Sequence, residues 1–132
     1  MVKRGETMDE LNNKRNTCFG ELLERMKDVK IPCCVYIKKG NLFNFPANHS
    51  YYDCVLTPVF KIMRVEKKSG CIELSPLIPI DIEGCPSDLS EHLFSLVETN
   101  DRFTFQLDCI CGIIGLPPEL VNQCLPPIEP KC

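Results

Sequence analysis

Ten of the 132 residues are cysteine, and two close pairs among them could do chemistry: Cys33-Cys34 and Cys109-Ile110-Cys111. Such pairs could be a redox centre, half of a metal site, or hooks that join one molecule to the next. Structural zinc usually takes two Cys-x(2–4)-Cys pairs, and a thioredoxin-type site takes Cys-x-x-Cys near a βαβ unit. The chain contains no Cys-x-x-Cys, and its two histidines, His49 and His92, stand apart.

Other chemistry is weaker. A nucleophilic cysteine needs an oriented histidine base, and His92, beside Glu91, has nothing near it in sequence to orient it. Asp81 and Glu83 alternate on one loop or strand face, where carboxylates are usually only solvated. No glycine-rich phosphate cradle occurs. Asn48-His49-Ser50 matches a glycosylation triplet, which carries no weight without export. The expectation is no enzyme, no metal and no cofactor.

The thiols must be positioned by the elements around them. Residues i and i+2 of a strand share a face about 6.5–7 Å apart, too far and too parallel for a disulfide. Cys109 and Cys111, at the end of a predicted strand, are therefore poor partners for each other and good ones for something facing them. Cys33 and Cys34, adjacent on a strand, point to opposite faces. Cys54, Cys71, Cys85, Cys124 and Cys132 sit at strand starts, turns, loops or the chain end. Those are exposed places, and the set reads as thiols offered outward.

Apolar spacing predicts a helix over 8–29, with Met8, Leu11, Cys18, Leu22, Met26 and Val29 as its stripe and Phe19 and Leu23 widening it. Gly20 inside it costs about 1 kcal/mol relative to Ala, so the helix must dock on something. Three hairpins follow. The first turns at Lys39–Asn41, the second at Lys67–Gly70 leading into Cys71–Ile78, and the third at Asn100-Asp101. Residues 79–90 read as a loop. Five of the eleven prolines fall after Leu116, which predicts an arm ending at Cys132. The fold class is mainly β: an antiparallel sandwich or flattened barrel with an N-terminal helix and a Pro-rich C-terminal arm. The boundaries are 1–30, 31–116 and 117–132.

Net charge is −3 with no basic block, so nucleic acid is not an expected partner. No run of about 18 apolar residues would span a membrane. The N-terminus lacks the apolar stretch of a secretory signal, which predicts synthesis in a cytosol. Ten cysteines conflict with that address, since cytosolic thiols stay reduced.

Two segments, CVLTPVFKIMRVEKKSGCIELSPL and LVETNDRFTFQLDCICGIIGL, resemble the cysteine-rich spore coat and exosporium proteins of the CotY/CotZ/ExsY type. The matching features are Cys54, Pro58-Val59-Phe60 and Cys71, then Thr99-Asn100 and Gln106-Leu107-Asp108-Cys109-Ile110-Cys111. VYIKKGNLFNF is similar to that family's Lys-Gly/aromatic hairpin. The resemblance covers about residues 31–116, and Arg102 and Gly115 stand where the family would place cysteines.

It implies synthesis in a mother-cell cytosol, assembly on the spore surface (coat, crust or exosporium), and oxidation after assembly. The expected function is a self-assembling structural protein forming a disulfide-cross-linked two-dimensional lattice, ring-like units packing into a sheet. Its partners would be itself and other coat or exosporium proteins. Candidates for intermolecular disulfides are Cys33, Cys34, Cys109, Cys111, Cys124 and Cys132. Cys18, Cys54, Cys71 and Cys85 are expected to be intramolecular or buried. The alternative is a zinc-binding or redox-handling module that uses the same thiols internally.

Overall fold

The chain is organised around one long strand. The computed structural model describes residues 19–90 and 92–125. Strand β5 (Cys71–Ile80) has 10 residues, and every one from Leu74 to Ile80 is buried. A strand covered on both faces needs apolar residues at both parities, which LSPLIPI largely supplies. β4 (Val59–Glu66) pairs antiparallel with it from Val59↔Leu77 to Glu66↔Cys71. This is the hairpin read from the sequence, with Gly70 in the left-handed region at φ 70.

The third hairpin is corrected by the structure. β6 (Ser95–Glu98) pairs with Leu77–Ile80 and β7 (Phe103–Gln106) with Cys71–Leu74, both antiparallel to β5. They run the same way, end to end along one edge, so Asn100-Asp101 bulges outward instead of turning the chain back. Pro76 explains the break, because it has no N–H to offer that edge. Its carbonyl instead accepts the Thr99 hydroxyl at 2.8 Å, and the Thr99 carbonyl accepts the Ser75 hydroxyl at 3.4 Å.

A 3₁₀ turn over Leu107–Cys109 then leads to β8 (Ile110–Gly115), which pairs with β1 (Cys33–Ile37). β1 in turn meets the start of β4 through Cys33↔Phe60 and Cys34↔Val59. The strand order is β6-β5-β4-β1-β8, with β7 also on β5. The architecture is the expected mainly antiparallel β fold with an N-terminal helix, a flattened sandwich without barrel closure.

The first hairpin forms only at its tip. Tyr36 bridges Leu42, and Ile37 N–H donates to the Asn41 carbonyl at 2.9 Å. β2 (Phe45–His49) then leaves β1 and pairs with β3 (Asp53–Thr57) in a separate two-stranded sheet. Thr57 holds the corner where β3 gives way to β4. Its hydroxyl donates to the Leu77 carbonyl at 2.6 Å and accepts the Val59 N–H at 3.2 Å, fully buried.

Residues 19–28 are helical and form α1. The predicted helix over 8–18 lies outside the described residues. Leu23 and Met26 are buried with Phe19 packed beside them, whereas Leu22 and Val29 are 45% and 60% exposed. The buried face is thus the 19/23/26 row, turned from the predicted stripe. Gly20 lets the helix approach Lys67, since an added Cβ would lie 3.3 Å from the Lys67 Cγ. Lys67 Nζ reaches Glu24 at 2.7 Å and holds that carboxyl below its ordinary value. The helix ends with Ile31 N–H on the Met26 carbonyl and Lys30 N–H on the Lys27 carbonyl, Lys30 taking the left-handed position at φ 59.

Both sheet faces are covered. On one, Leu23, Met26, Phe60, Ile62, Ile72, Leu74, Leu107 and Ile110 form the largest cluster. On the other, Val59, Leu77 and Leu96 are roofed by Leu116, Leu120 and Val121 among others. The C-terminal stretch is therefore packed over its first part, whereas the sequence predicts an arm outside the core. Asn122 N–H donates to the Leu96 carbonyl at 2.8 Å, and the Ser95 hydroxyl donates to the Leu120 carbonyl at 3.2 Å. β6 would otherwise leave unpaired backbone groups beside an apolar cluster, and this segment satisfies them.

Candidate functional site

The cysteines divide by the face of the element that carries each. β1 sends Cys33 into the first cluster and Cys34 into the second, with exposures of 0% and 2%. The opposite-face expectation for this pair is what the strand does, but neither thiol reaches the surface. Both faces of β1 are roofed, so the reading that either is offered outward is corrected here. Burial pushes Cys33 up to about 12 and Cys34 up to about 11, which keeps both as inert thiols.

Cys109 and Cys111 do not share a strand face. Cys109 closes the 3₁₀ turn, and Ile37 pairs with Ile110 while Tyr36 pairs with Gly112, leaving Cys111 as the extra residue of a β-bulge. A bulge re-aims its side chain, and Cys111 is exposed. Ile110 between them is fully buried and fixes the corner. Cys109 is half-buried and lines a surface groove with Ile37, Lys38, Phe43 and Phe105. The groove's two phenylalanines belong to an aromatic layer in which Phe43 lies 4.8 Å from Phe105 and Phe45 stacks on Phe103 at 4.2 Å.

Cys54 is exposed, although the sequence places it among the intramolecular or buried thiols. In β3 it alternates with Val55 and Thr57, which face inward, so it shares the outer face with Leu56's opposite number Pro46 and with Leu56 itself, 66% exposed. That alternation was present in the sequence as DCVLT, but a start-of-strand position hid it. Cys124 is exposed just beyond the docked Asn122. Cys71 is half-buried at the start of β5, its thiol 3.7 Å from the Ser69 carbonyl, and is free. Cys85 is disulfide-bonded. Cys18 and Cys132 lie outside the described residues.

Asp81, Glu83 and His92 do come together around one surface pocket with Leu93 and Phe94. Asp81 is occupied structurally, its Oδ1 accepting the N–H groups of Glu83 at 2.9 Å and Cys85 at 3.1 Å. His49 Nδ1 accepts the Tyr51 N–H at 3.0 Å at the β2–β3 turn. Among the described residues no three His, Cys, Asp or Glu side chains converge as metal ligands. No described helix is long and apolar enough to cross a membrane. No family model, curated protein or solved structure matches the chain.

Proposed function

We propose that the chain is a structural, non-enzymatic protein that assembles with copies of itself and is then locked by intermolecular disulfides, as the spore-surface proteins it resembles would require. One observation carries the reading. Free thiols stand exposed or half-exposed on several parts of the fold: Cys54 on β3, Cys71 at the start of β5, Cys109 and Cys111 at the turn into β8, and Cys124 at the C-terminal segment. Thiols pointing in several directions cannot close on one ion or on each other without rearrangement. They can link one molecule to several neighbours, and several links per subunit make a layer hard to dissolve. β8, last in the strand order among the described residues, adds an edge strand with a 47% exposed Ile114.

In this reading Cys33 and Cys34 serve the core, and Cys54 joins the linking set. The layer would be built in a reducing cytosol around a forespore and oxidised after release, with other coat or exosporium proteins as further neighbours. The test compares assemblies of the purified chain with reductant, without it, and with chelator. Large particles that soften or dissolve only with reductant are expected. A monomer carrying stoichiometric zinc would sink the proposal.

A further inference from the structure

Two patches of the surface are complementary. The first is a ridge on the outer face of β3, where Cys54 and Leu56 stand two residues apart, Leu56 being 66% exposed. The second is the shallow groove lined by Ile37, Lys38, Phe43, Phe105 and Cys109. Each patch also carries one charge of opposite sign. Asp53 precedes Cys54 and is exposed, while Lys38 lines the groove and is exposed, and neither has an ion-pair partner among the described residues.

We infer that the ridge of one copy seats in the groove of the next, Leu56 against Phe43 and Phe105, and that this contact sets Cys54 opposite Cys109 for an intermolecular disulfide. Apolar burial supplies the attraction, and pairing of Asp53 with Lys38 sets the orientation. A residue two positions from the seated leucine lies about 7 Å along the strand, a step that carries Cys54 to the neighbouring lining residue Cys109 when the leucine lies against Phe43 and Phe105. Each copy offers one ridge and one groove, so the contact passes from copy to copy and either closes as a ring or extends.

The oxidant is a small-molecule disulfide such as oxidised glutathione. The Cys54 thiolate attacks it, forming a mixed disulfide and releasing one glutathione. The Cys109 thiolate then attacks the Cys54 sulfur and expels the second, so two thiols and one disulfide become one protein disulfide and two glutathione thiols, which take up the two protons.

The inference rests on the self-assembly reading, and the experiment separates them. The full chain with Cys111→Ser and Cys124→Ser is oxidised with glutathione disulfide, and its disulfide-linked peptides are mapped. The Cys54–Cys109 pair is expected, and so is its recovery from a mixture of Cys54→Ser with Cys109→Ser protein. Leu56→Asp, its unfolding midpoint measured alongside to confirm the fold, slows formation of the pair about tenfold or more. Lys38→Glu slows it several-fold at low salt and much less at high salt. If particles form but the Cys54–Cys109 peptide is missing, or Leu56→Asp changes nothing, the ridge-and-groove contact is overturned and assembly stands on other thiols. If the chain stays monomeric, oxidised or reduced, both fall.

Discussion

Cys33 and Cys34 are consecutive in the chain, yet their thiols lie in two separate apolar clusters on opposite faces of β1. Neither should react with a thiol reagent in the native state, while Cys54, Cys111 and Cys124 should label quickly. Counting labelled sites by mass spectrometry before and after adding denaturant checks this. Labelling of Cys33 or Cys34 in the folded chain would contradict the packing.

The same pair sets an alkaline limit. Burial raises Cys33 from an ordinary value of 9.0 to about 12 and Cys34 to about 11. A thiol held protonated in the fold contributes stability that is fully present below pH 9.0 and is lost as pH climbs towards those values. Denaturant midpoints under reductant should therefore fall steeply between about pH 9 and 12, and replacing both residues with alanine should flatten the slope.

Thr57 holds two strands together with one hydroxyl. Thr57→Val keeps the shape but leaves the buried Leu77 carbonyl and Val59 N–H without that partner, an expected loss of about 2 kcal/mol. Thr57→Ser should retain most of it. Urea unfolding of the two variants side by side gives the comparison.

Asp101 sits on the outward bulge between β6 and β7 and accepts the Asn48 N–H of β2 at 2.7 Å. It ties the small sheet to the large one. Asp101→Ala should speed hydrogen exchange at the Asn48 amide and cost about 0.5–1 kcal/mol, the low end of the range because the bond is exposed to solvent. Protection unchanged at Asn48 would mean that the bulge carries no such tie.

Two glycines contacting α1 or its partners should respond oppositely to alanine. At Gly20 the new methyl meets the Lys67 Cγ at 3.3 Å, a flexible stem that can swing aside, so the gain in helix propensity of up to about 1 kcal/mol prevails. At Gly115, itself exposed, it meets the Cγ2 of the half-buried Ile31 at 3.1 Å and the Met26 Cε at 3.4 Å, and a branched isoleucine cannot swing aside as a lysine stem can, so a loss of about 1 kcal/mol is expected. Thermal midpoints moving in opposite directions would bear this out.

The amino-acid order alone determined what is local. Period-two alternation wrote β4 and β7, Gly70 ended a tight hairpin, and the opposite parity of Cys33 and Cys34 followed from strand geometry. Only the tertiary structure decided what faces what. Asn100-Asp101 looks like a hairpin turn in sequence, but the missing N–H of Pro76, more than twenty residues away, makes it a bulge in one continuing edge. An alternating strand also cannot say whether one face or both will be roofed. β1 is covered twice, which withdrew Cys33 and Cys34 from the surface, while β3 is covered once, which left Cys54 beside Leu56 in the open. The reason is physical: backbone periodicity is set by neighbours in the chain, whereas solvent exposure depends on elements that arrive from far along it.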